Sequence, residues 1–164
     1  MRRYTWPVIS LIVAAGIQGN LPASMSLFGA KPDLILIVLI AWSLAADPVF
    51  GAGLGFAAGL IQGAAVGLSL GSFIVTRTIT GFLAGFVTTR LFTDKPFVPV
   101  ASAASLTLVC EGVFLLANPR LALLAAARIV AGKCIYNAAL ALLLYWILRV
   151  FETRRKIRLA NARI

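Results

Sequence analysis

Histidine is absent from this chain, and acidic side chains are scarce: five Asp and Glu stand in 164 residues. Without imidazole there is no side chain with an ordinary pKa near neutrality, and the commonest nitrogen ligand for a metal is missing. There are two cysteines, Cys110 and Cys134, far apart inside apolar stretches and outside any CxxC-type spacing. They read as buried packing, with no metal site and no disulfide framework. No glycine-rich loop opens onto a soluble helix to hold a phosphate, and a Ser or Cys nucleophile would lack an activating base. Asp33, Asp47 and Glu111 are the acids placed near apolar runs. Neither an enzyme nor a cofactor is expected.

Charge of either sign is also low, at 12% of residues against roughly 25% in a soluble domain. Hydrophobic residues make up 61% and the mean hydropathy is +0.99, which leaves too little polar side chain to cover a water-facing surface. The chain therefore reads as an all-α membrane protein with six transmembrane helices of about 20 residues each. Apolar continuity and breakers place the spans at about 4–20, 32–46, 48–68, 70–92, 96–117 and 132–151. Together they form a single domain over 1–152, followed by a basic tail over 153–164. No soluble domain fits in the remainder.

The first span starts after Met1, Arg2 and Arg3, as a signal peptide would. No small-x-small cleavage site leads into a soluble region, so it reads as an anchor. Pro32 is expected to open the second span, since a first helical position needs no N–H donor. Asp47 and Pro48 read as a tight turn into the third. The apolar run Leu121 to Ala131 carries Arg128 and either lies in the interface or extends the last helix.

Fifteen Lys and Arg give a formal net charge of +10. They gather at the chain ends and beside apolar runs, which points to membrane topology and away from nucleic acid. Six spans put both termini on one side. That side holds Arg2, Arg3, Arg90, Lys95, Arg149, Arg154, Arg155, Lys156, Arg158 and Arg163, so it is expected to be cytoplasmic. Lys31 and Arg120 lie opposite, with Arg128 and Lys133 at the mouth of the last span. Tyr4, Trp6, Phe92, Phe97, Tyr145 and Trp146 fall near the cytoplasmic boundary, as an aromatic belt would. The tail either binds anionic headgroups or only sets topology.

Gly51, Gly55, Gly59, Gly63, Gly67 and Gly71 recur every four residues, with Gly53 as an extra, and Gly81 and Gly85 repeat the device one span later. A step of four advances a helix by about 400°, so the stripe keeps to one slowly winding face. Such a face lets a second helix backbone approach closely. It serves either internal packing of the bundle or docking of a partner's helix. Arg77 and Glu111 are intramembrane charges, each about six residues, or roughly 9 Å, below the outer surface. They are expected to pair with each other, with Lys133 as a third member. Gln62 and Asn137 are lone polar residues that could hydrogen-bond between helices.

Three segments carry a family resemblance. "KPDLILIVLIAWSL", Lys31 to Leu44, resembles the second-span opening of the bacterial rod shape-determining protein MreD family, with its proline-aspartate, leucine run and aromatic. "GFAAGLIQGAAVGLSLGS", Gly55 to Ser72, is similar to the family stretch that ends in a leucine-glycine pair, here Leu70 and Gly71. The family's aspartate in that stretch falls at Gly63 in this chain, beside Gln62. "YNAALALLLYWILR", Tyr136 to Arg149, resembles the family's last span, with Asn137 in the asparagine position. Pro32, Asp33, Leu70, Gly71 and Asn137 are thus the family-motif positions, and the resemblance covers nearly the whole chain.

The resemblance implies a non-catalytic role in the elongation machinery that builds the side wall of rod-shaped bacteria. It implies direct binding to MreC and a wider complex with MreB, RodA and the elongation transpeptidase, in the bacterial cytoplasmic membrane. Self-association into a homo-oligomer stays open. The alternative is a solute-binding membrane subunit similar to the six-helix substrate components of vitamin transporters, with which a fold could be shared. Ala15 and Gly19 offer a docking-type small-residue spacing for that reading.

Overall fold

A computed structural model describes residues 2–67, 69–90, 97–118 and 123–161. Six α-helices and one 3-10 turn make up the regular structure among them. They are α1 (Arg2–Gly19), α2 (Leu34–Leu44), α3 (Pro48–Val66), α4 (Leu70–Arg90), α5 (Phe97–Ala117) and α6 (Leu123–Asn161), with the 3-10 turn at Ala23–Met25. There is no β-strand among the described residues, only a bridge between Leu27 and Ala30. Among the described residues, four helices are long and apolar enough to cross a membrane: α3, α4, α5 and α6. The apolar parts of α1 (Tyr4–Gly19) and α2 (Leu34–Leu44) are shorter.

The side chains of Arg2, Arg3, Arg90, Phe97, Tyr145, Arg149 and the tail cations lie outside the described residues, as do Phe92, Lys95 and Arg120. The expected basic side and half of the aromatic belt fall there. Trp6 and Trp146 are exposed. α6 is continuous from Leu123, so Arg128 sits within the last helix and not in a separate interfacial segment.

α2 is the shortest helix and the central one; it touches all five others. Its start is not at Pro32 but after Asp33, whose Oδ1 accepts the Leu36 N–H at 3.0 Å. That side chain satisfies one of the donors that a helix N-terminus leaves unpaired. Ile35, Leu36, Leu39 and Ile40 of α2 join Leu11 and Ala14 of α1, Phe50, Leu54 and Ala58 of α3, Ala84 of α4, and Leu106 and Cys110 of α5 in the main core. α1 is tied to this centre by the Trp42 indole N–H, which donates to Ser10 Oγ at 3.0 Å, and by Tyr4 stacked on Phe50.

α3 follows α2 directly. Asp47 caps it through the Phe50 N–H at 2.8 Å, and Pro48 takes the first helical position. Gly67 closes it in the left-handed region at φ +72°, a conformation that costs glycine nothing. α3 and α4 then form the most intimate pair in the bundle. A Cβ on Gly51 would meet the Gly81 carbonyl, and one on Gly81 would meet the Gly51 carbonyl. Gly55 lies against the backbone of Arg77 and Thr78, Gly59 against Ile74, and Gly63 against Leu70. Gly85 lies against Pro48.

The glycine face is therefore covered by the chain's own α4. A partner helix has no place on Gly51, Gly55, Gly59 or Gly63, because the backbone-to-backbone contact that glycine permits is already made. The docking alternative for those four is corrected to internal packing. Gly67 is a helix cap, and Gly71 faces open space.

Candidate functional site

Asp33, Gln62, Arg77, Thr107, Glu111 and Asn137 are all buried, at 7% exposure or less. The local structure explains how they meet. The glycine seam draws the α4 backbone at Arg77 onto α3. From there the guanidinium reaches across the bundle. Its Nε donates to Gln62 Oε1 on α3 at 2.9 Å, its Nη1 to Cys110 Sγ on α5 at 3.2 Å, and its Nη2 to Asp33 Oδ2 at the start of α2. One planar group with donors in a fixed fork thus bonds to three other helices.

The expected pairing of Arg77 with Glu111 is not what the structure holds. Arg77 forms its ion pair with Asp33, and Glu111 Oε2 accepts from Lys133 Nζ of α6 at 2.7 Å. The reason is the shortness of α2. Its N-cap is buried among the other helices, so Asp33 stands inside the bundle as an acceptor already held by Leu36. The two pairs remain within electrostatic reach of each other, Glu111 acting on Arg77 and Lys133 on Asp33. Two acids and two bases cancel. A neutral cluster is the arrangement that low-dielectric surroundings tolerate, since a lone ion there costs several kcal/mol.

Asn137 extends the network. Its Oδ1 accepts the Asp33 backbone N–H at 3.3 Å, and its Nδ2 donates to Thr107 Oγ1 at 3.0 Å. Gln62 and Asn137 are thus not lone polar groups; both orient the charged pair. Gln18 of α1 completes the set by accepting the Ile35 N–H at 3.1 Å. Each of the six helices thus places a polar side chain in or beside this cluster. Of the two cysteines, Cys110 is buried in that system, whereas Cys134 of α6 is only half-buried, 3.7 Å from the Ala104 carbonyl.

Sequence reasoning found Arg77, Glu111, Lys133, Gln62 and Asn137 but missed Asp33 as the counter-ion, and missed Thr107 and Gln18. Replacing Asn137 with Leu leaves the Asp33 N–H and Thr107 without that partner. The expected cost is about 1–2 kcal/mol, read as a lower unfolding midpoint in detergent, with the helix content unchanged. Lys133→Met should cost less than loss of the Arg77 cation, because the Lys133 side chain is 25% exposed against 2% for Arg77.

Among the described residues no cluster of metal-ligating side chains is present. No curated protein and no solved structure matches this chain. A family model does: that of the rod shape-determining protein MreD, over residues 2–155. With the match covering nearly its whole length, this chain belongs to the MreD family of rod shape-determining proteins.

Proposed function

We propose that this chain is a non-catalytic scaffold of the bacterial cell-elongation complex. It crosses the cytoplasmic membrane six times with both termini inside. It binds MreC directly and so supports lateral peptidoglycan synthesis, with RodA, the elongation transpeptidase and MreB in the wider assembly. The observation that carries the role is the family match across residues 2–155.

With the glycine seam closed, the surface suggests a different berth for MreC's single transmembrane helix. α1 and α6 both touch α2 but, among the described residues, not each other. The gap between them is an apolar groove of about 270 Å³ with Leu34, Ile37 and Val38 as its floor, Val13 on one wall and Leu143 on the other. A helix seated there gains van der Waals contact on three sides, which is what drives association where lipid removes the hydrophobic term.

Val13→Trp and Leu143→Trp fill the groove from opposite walls and, facing lipid, leave the core intact. Each is expected to lower MreC recovery in detergent co-purification about tenfold, equivalent to roughly 1.4 kcal/mol of binding. The amount of the chain in the membrane should not change. Recovery at the unmodified level from both variants would exclude the groove.

A further inference from the structure

Beside the charge network a second cleft of about 270 Å³ opens between the ends of α1 and α3 and the start of α2, with Lys133 of α6 at one side. Its polar lining consists almost wholly of spare donors. Gln18 Oε1 is taken by the Ile35 N–H and Gln62 Oε1 by Arg77, so each amide leaves its NH2 edge as the unspent group. Lys133 spends one N–H on Glu111, and Lys31 spends one on the Leu21 carbonyl at 2.7 Å. Each ammonium keeps two more.

One acid, Asp33, also lines the cleft, and each of its carboxylate oxygens already holds a donor. Asp33 receives Leu36 and Arg77, and Glu111 receives Lys133. The carbonyls that α1 and α3 present at their ends are partly met within the chain, Gly16 by Asn20 and Gly63 by the Gly67 N–H. The charge balance points the same way. Asp33, Arg77, Glu111 and Lys133 cancel, and Lys31 adds one uncompensated positive charge at the cleft.

We propose that this cleft binds an anionic phosphate group. The four donor side chains, Gln18, Lys31, Gln62 and Lys133, address its oxygens, and Ile35 and Val66 line an apolar wall that accommodates an attached chain. Four donor-bearing groups suit the several oxygens of a phosphate better than the two of a carboxylate. The source is either the headgroup of an anionic phospholipid or a free phosphate. The inference stands apart from the scaffold role, since it uses none of the groove residues.

The test uses the full chain in two formats. In nanodiscs of phosphatidylcholine with or without phosphatidylglycerol, native mass spectrometry counts the lipids that stay bound. In detergent, the unfolding midpoint is compared in inorganic phosphate and in chloride at equal ionic strength. Lys31→Glu reverses the uncompensated charge. Gln18→Glu keeps an acceptor for Ile35 and replaces the donor edge with an anion.

One phosphatidylglycerol retained per chain, lost in both variants, identifies a headgroup site. A midpoint raised by phosphate, and no longer raised in either variant, identifies a site for the free anion. The expected weakening is about tenfold or more. Circular dichroism and elution volume confirm that both variants fold. Three results would overturn the proposal: no retention and no shift, equal retention of phosphatidylcholine, or binding unchanged by both substitutions.

Discussion

Arg77→Met is expected to destabilise the fold by about 3–5 kcal/mol, the largest effect of any single side-chain truncation among the described residues. The loss is not the value of one ion pair. Removing the guanidinium strands the Asp33 carboxylate at 2% exposure and leaves both Gln62 Oε1 and Cys110 Sγ without the N–H donors they accept from. A buried acceptor without a partner bears its desolvation cost alone. The double variant Asp33→Asn with Arg77→Met removes both charges together, and Asn keeps an oxygen to cap Leu36. It should recover more than half of the loss, because a neutral pair of similar volume has no ion left to solvate. Unfolding midpoints in detergent and the yield of monodisperse protein report both. A double variant as unstable as the single one would mean that Arg77 acts through packing and not as the counter-ion of Asp33.

Arg77's partner marks the limit of what local hydropathy discloses. The six apolar segments were legible because hydropathy is a local property, and α3, α4 and α5 begin and end close to where breakers put them. Arg77 and Glu111 were legible as buried charges for the same reason. Their partners are a property of depth, which must be counted. Only thirteen residues separate Asp33 from Asp47, about 20 Å of helix where a bilayer core needs about 30 Å. A helix of that length cannot set Asp33 and Asp47 at opposite surfaces of such a core. That arithmetic allows Asp33 an inward position, and with it a second acid for Arg77. Nothing in the sequence, by contrast, says that α4 covers the Gly51–Gly63 face. A small-residue stripe states that some helix approaches closely and is silent on which one. Gly81 and Gly85 were the only hint, a second set of small residues one connection away.

Gly55→Ala separates those two meanings of glycine and is expected to be the other severe substitution. A single methyl at Gly55 meets the Arg77 carbonyl oxygen and carbon and the Thr78 Cα, all of them backbone. Side chains can rotate away from an intruding methyl, but backbone must move as a helix, so α4 has to back off along its length. Overpacking of this kind costs about 1–3 kcal/mol and occasionally more; with backbone as the obstacle the upper end is expected. Gly16→Ala is the control. Gly16 lies inside α1 with nothing within 4 Å of the added Cβ, so the same change there should be neutral or stabilising by up to about 1 kcal/mol through helix propensity alone. The seam also sets the position from which Arg77 reaches Asp33, so Gly55→Ala should damage the ion pair along with the packing. In that case its cost will fall when it is introduced into the Asp33→Asn, Arg77→Met double variant, where no pair is left to misplace. If the seam serves packing alone, the same cost will appear in both backgrounds to within about 0.5 kcal/mol. A reduced cost in the double variant identifies α3 as the part of the scaffold that aims Arg77.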